Sequence, residues 1–141
     1  DESTVIINEV LASNTRTLAD PQGEFDDYVE LHNVSDAAAD LSGRYLTDSK
    51  SSLRKWAFPD GTKIPAGGFL IIWADEDGKA SPGLHASFKL SQKGETVYLV
   101  DSDENGNVIL NSLKFPAQRT DVAFGRGARG KLEPVVPTPG R

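Results

Sequence analysis

The chain has 141 residues, no cysteine, no methionine and a formal net charge of -6. That length fits one domain burying about two-thirds of the surface its unfolded form exposes, and the missing cysteines exclude disulfides, thiolate metal sites and cysteine nucleophiles together. The acidic balance and the dispersed lysines and arginines argue against nucleic-acid binding, which cations drive by neutralising phosphates, and no apolar run approaches the ~20 residues of a membrane helix.

In chain order, strand signals recur at short intervals. "TVIINEVL" (4–11) and "DYVELHNV" (27–34) are rich in β-branched residues with period-two patterning. In the second, Tyr28, Glu30 and His32 fall on one face, and Val29 and Leu31 on the other. "VSDAAADLSG" reads as a turn or one helical turn, capped by Ser35 and Asp36 and ended by Gly43. "RYLTD", "KWAFP", "TKIP", "FLIIWAD", "ASFKLS", "TVYLVD", "NVILNSLKF" and "DVAFG" continue the strand series. "FLIIWA" is apolar enough to run inside a sheet. Turn residues punctuate the series, including Pro21, Gly23, Asp60-Gly61, Gly67-Gly68, Asp77-Gly78, Pro82-Gly83 and Asn105-Gly106. About nine or ten short strands and almost no helix predict an all-β sandwich or barrel. The Pro-rich "EPVVPTPGR" reads as an exit linker, so the domain is placed at 1–133 and the linker at 134–141. With no methionine even at position 1, the expectation is a module of a larger multi-domain protein.

Two acidic segments invite a chemical reading. In "ADPQGEFDDYVELHN", Asp20, Glu24, Asp26 and Asp27 form a cluster that could hold a hard cation such as calcium or keep a proton at raised pKa. A solvated turn is the commoner fate of such a loop. Glu9 and Glu30 differ, because each interrupts an apolar strand and must be paired or face solvent. In "DSDENGN", Asp101, Asp103 and Asn105 alternate before Gly106, but the position a bidentate glutamate would need is Ser112. A hairpin turned at Asn105-Gly106 explains the segment, with a weakly held calcium at its tip as the alternative.

Catalytic patterns are lacking. His32 and His85 sit in unrelated contexts, and no serine lies in a Gly-x-Ser-x-Gly elbow. Tyr28, Tyr45, Trp56, Phe58, Phe69, Trp73 and Tyr98 could stack sugars if they share an exposed face, although sandwich cores use the same residues. "GRGARGK" (125–131) reads as a surface loop, and "NVS" at Asn33 matches a glycosylation sequon.

The ordered series "INEVLASN", "DDYVELHN", "DLSGRYLTD", "WAFPDGTKIPAGGFLIIWAD", "FKLSQKGETVYLVD" and "DVAFGRG", then "PTPG", resembles the lamin tail domain in its bacterial extracellular form, from about Val5 to Gly140. The resemblance implies an immunoglobulin-like β-sandwich and a non-catalytic role in interaction or tethering, with no cofactor and no catalytic residue to carry over. It casts Asn8, Glu9, Glu30, Asn33, Gly43, Trp56, Gly125 and Arg126 as fold determinants, with Glu9 and Glu30 hydrogen-bonded to loops. It also implies a secreted or cell-surface location. The partners expected are other domains of the same protein or a surface protein, without nucleic acid or membrane insertion. A module binding polysaccharide or calcium is the alternative.

Overall fold

The computed structural model describes residues 4–15, 17–75, 83–126, 132–135 and 137. Among them the chain forms β1 (Val5–Leu11), β2 (Asp27–Asn33), β3 (Ala39–Asp40), β4 (Tyr45–Thr47), β5 (Trp56–Ala57), β6 (Lys63–Ile64), β7 (Phe69–Ala74), β8 (Leu84–Ala86), β9 (Gly94–Val100), β10 (Ile109–Pro116), β11 (Ala123–Arg126) and β12 (Leu132–Val135). A six-stranded sheet has the order β12-β11-β1-β2-β7-β8, a four-stranded sheet β10-β9-β4-β5, and β3 pairs with β6. The pairings are antiparallel except β7 with β8.

Period-two alternation decides which side chains meet. Val10, Val29, Leu31 and Ile72 of the large sheet pack with Leu46, Trp56, Val97, Leu99 and Leu113 of the small one in the main core. Full burial of each such side chain is worth roughly 1.5–3 kcal/mol. The opposite face of the large sheet carries a second cluster of Leu11, Tyr28, Trp73 and Ala123, against which Leu18 of the β1–β2 connection packs. That connection is thereby fastened over the sheet. Asn14 holds it further, donating from Nδ2 to the carbonyls of Leu18 and Asp26, both at 2.8 Å.

A shift of register between Ile7 and Glu9 in the β1–β2 pair brings Glu9 opposite Glu30, the local effect of an extra residue in one strand. That residue, Asn8, donates from Nδ2 to Glu30 Oε1 at 3.0 Å, while the Tyr28 hydroxyl donates to Glu9 Oε2 at 2.6 Å. Both glutamates are buried. These two partners lie on β1 and β2 themselves. Gly125 sits opposite Glu9, and a Cβ there would overlap the Asn8 carbonyl and lie 3.0 Å from Glu9 Cα.

Several local expectations differ from the structure. "VSDAAADLSG" contains β3, because Ala39 and Asp40 can pair with Ile64 and Lys63. In "ASFKLS" the strand ends at Ala86, and beyond it Lys89 makes a single bridge to Asp75. Asn105-Gly106 is not a two-residue turn: a 3₁₀ turn at Asp103–Asn105 precedes Gly106 and Asn107, both at positive φ. Pro134 and Val135 belong to β12 and pair with Phe124 and Ala123, upstream of the rest of the Pro-rich tail. Asp77-Gly78, Pro82 and residues 127–131 of "GRGARGK" lie outside the described residues.

A candidate cation site at the sheet edge

At the edge formed by β7 and β8, the turn 20–24 meets the end of β7. Asp20 closes that turn, its Oδ1 accepting from the backbone N–H of Gln22 at 3.0 Å and of Glu24 at 2.8 Å. Gly23, at φ 85°, completes the bend. Pro21 then rests beside Gly83, where a Cβ would come within 2.9 Å of Pro21 Cγ and 3.3 Å of His85 Nε2. Only glycine, itself at φ 92°, lets the loop approach this closely.

Five side chains converge there, in two groups that share Asp20. Asp20, Asp75 and His85 each place one potential ligand atom within 4.8 Å of the others', and Asp20, Glu24 and Asp26 do likewise. Asp20 belongs to both groups and is 5% exposed; His85 is 2% exposed. The His85 Nδ1 and Asp75 Oδ2 are 2.6 Å apart. Asp20 Oδ2 and Asp26 Oδ2 are buried and, among the described residues, meet no donor beyond a proton that the two carboxyls can share.

Electrostatics separates the two facing carboxyls. Burial pushes the Asp26 carboxyl up to about 7, reinforced by its hydrogen bond to Asp20 and by the negative charges of Asp20, Asp75 and Glu24. Burial acts on Asp20 in the same direction, but hydrogen bonds from Asp26 and from the Glu24 and Gln22 backbones outweigh it and hold Asp20 below its ordinary value. The pair therefore accommodates one positive charge between its oxygens, whether a proton or a metal ion.

Of the four acids the sequence groups together, the structure brings together Asp20, Glu24 and Asp26 and sends Asp27 elsewhere. Strand alternation turns Asp27 away from Tyr28, toward the Leu90 N–H and Lys89, and burial pushes its carboxyl up to about 6. Asp75 and His85 are the members that sequence reasoning missed. The parallel register of Trp73 with His85 and Ala74 with Ala86 sets them side by side, and only the close of the "FLIIWAD" strand could have signalled it.

The segment Asp101 to Asn107 is arranged differently. Asp103 accepts from Arg54 Nε at 2.8 Å, Asn107 Nδ2 at 3.0 Å and the Tyr45 hydroxyl at 3.2 Å. Asn105 Nδ2 donates to Asp101 Oδ2 at 3.1 Å, and Arg44 Nε lies 3.5 Å from Asp101 Oδ1. These carboxylates already have donors, two of them cationic, and Asn105 presents its amide nitrogen to Asp101.

The remaining expected residues are distributed through the fold. Asn33 is fully buried, donating to the carbonyls of Ala37, Ile64 and Pro65 and accepting from Ser35; folded protein cannot offer it to a glycosyl donor. Gly43 has φ 80°. Trp56 packs edge-on against Phe58 in the core, and Arg126 lies in β11. Tyr28, Trp56, Phe58 and Trp73 are buried, which leaves Tyr45, Phe69 and Tyr98 half-exposed. Phe69 stacks on His32, with ring centroids 4.1 Å apart. An apolar depression of about 350 Å³ is lined by Pro116, Val122, Phe124 and Pro134 among others, without any of the clustered acids.

The two packed, mostly antiparallel sheets define an immunoglobulin-like β-sandwich module. The family model described as Lamin Tail Domain matches residues 1–115, and the chain belongs to that family. The match ends within β10, short of the Gly140 limit suggested by the motif series. The family is an immunoglobulin-like, non-enzymatic one used in protein interaction. No curated protein matches the chain.

Proposed function

We propose that the chain is a non-catalytic interaction or tethering module of a larger exported bacterial protein, acting through its surface. Membership of an interaction-domain family supports this reading, and the strand β10 carries it. This strand is eight residues long and forms one side of the four-stranded sheet, beyond β9. Beside its start, Val108 and Ile109 are 55% and 38% exposed. A long outer strand with apolar side chains at one end suits recognition by strand addition, in which backbone hydrogen bonds give affinity and side chains give selectivity.

The test fuses the chain to a fluorescent reporter and measures retention on washed cells of a bacterium that carries the parent protein. The wild-type fusion is expected to stay bound, and a Val108→Lys/Ile109→Lys fusion of equal Tm to wash away. Equal loss of the wild-type fusion and the bare reporter defeats the proposal.

A further inference from the structure

We propose that Asp20, Asp75 and His85, joined by Asp26, bind a divalent transition-metal cation such as zinc or manganese, clamping the β1–β2 connection to the β7–β8 edge. The inference stands independently of the tethering role, since it concerns the sheet end and not β10.

Three observations carry it. The potential ligand atoms of Asp20, Asp75 and His85 are already gathered, and Asp26 adjoins them through Asp20, which it shares with Glu24 in a second group of three. Their backbone supports are fixed: two N–H groups hold Asp20 Oδ1, leaving Oδ2 for a further partner, and the parallel β7–β8 register sets His85 by Asp75. Finally, Asp20 is 95% buried, and among the described residues its Oδ2 and Asp26 Oδ2 have no donor except a proton shared between the two carboxyls, the place a cation would take. Buried carboxylate oxygens without a donor are costly, and a cation removes that cost.

The donor set selects the ion class. Calcium takes six to eight oxygens and has little use for imidazole. Imidazole with carboxylates suits zinc and its first-row neighbours at coordination numbers this cluster can supply. The short His85–Asp75 contact is also the kind of carboxylate support that orients a metal-binding imidazole.

The test uses the full chain, stripped with EDTA and then titrated separately with zinc, manganese and calcium. After desalting, about one equivalent of zinc or manganese is expected to stay with the wild type. At hundredfold excess over Kd the Tm should rise by roughly 5–10 °C and fall back with EDTA. Asp20→Asn keeps an oxygen for the Gln22 and Glu24 N–H groups, so the loop stays closed while the charge is lost. It and His85→Gln should each reduce retained metal at least tenfold, with Asp103→Asn unchanged. The proposal is overturned if the wild type retains no zinc or manganese, if calcium shifts the Tm more than either, or if Asp20→Asn binds as well as the wild type. In those cases the facing carboxyls are a proton-sharing pair.

Discussion

The segment Asp101 to Asn107 and the group around Asp20 are both acidic connections between strands, and they differ in what surrounds the carboxylates. In the first, Arg54 and Arg44 supply positive charge, and Tyr45, Asn105 and Asn107 supply hydrogen bonds. The Asn107 amide, aided by Arg54 and Tyr45, holds the Asp103 carboxyl below its ordinary value. In the second, the charges pressing on Asp26 come from other carboxylates, and among the described residues two oxygens have no donor beyond a proton shared between Asp20 and Asp26. Spacing in sequence made both loops cation candidates, the first only as the alternative to a hairpin. Readiness for a cation depends instead on which donors the fold has already committed.

The contrast breaks most severely if the close approach of the two loops is removed. Gly83→Val places a branched side chain at φ 92° against Pro21, and should lower stability by about 2–3 kcal/mol. Chemical denaturation would measure this, and zinc retention should fall in parallel. Next comes pH. In EDTA-treated protein, Asp26 is raised to about 7 beside Asp20, Asp75 and Glu24, and Asp27 to about 6 beside Lys89 and Glu95. A carboxyl raised on folding stabilises below its unfolded pKa, and the benefit is lost as pH climbs through the folded one. The Tm should therefore decline from pH 5 to pH 8. Asp20, shifted the opposite way, stays ionised across that window. Asp26→Asn should flatten the decline and raise the metal-free Tm at pH 8, as read by thermal melts across the series. A smaller effect is expected from Asp27→Asn, which should remove only the lower part of the slope and leave zinc retention intact. Smallest of all, Arg54→Ala removes an exposed partner of Asp103 and should leave the Tm near wild type. Calcium titration of that variant would show whether the freed carboxylate gains affinity.

Much of the fold was legible because alternation is local. Val29 and Leu31 against Tyr28, Glu30 and His32 can be read directly from "DYVELHN", and the structure keeps that division. The short β3 was not legible, since Ala39 and Asp40 have weak strand preference and pair only because Ile64 and Lys63 lie opposite. β12 was obscured by Pro134, which reads as linker yet fits a strand on the outside of a sheet. Three of the five residues at the candidate site could be seen, because Asp20, Glu24 and Asp26 are close in sequence. Asp75 and His85 could not, since a parallel pairing of β7 with β8 has no signature in either strand alone. Asp27 was wrongly grouped for the same local reason that made the rest legible: adjacent residues of a strand point to opposite faces.

Asn33 has a consequence for how the protein can be made. Its side-chain amide ties the start of the β2–β3 connection to the carbonyls of Ile64 and Pro65, so a sugar attached there would have no room in the closed sandwich. In a eukaryotic secretory host, the transferase and the folding chain would compete for that nitrogen, and each molecule modified first would be barred from the native state. Secretion yield from such a host should therefore rise with Ser35→Ala, which erases the sequon at the expense of one hydroxyl, and bacterial expression should show no such gain.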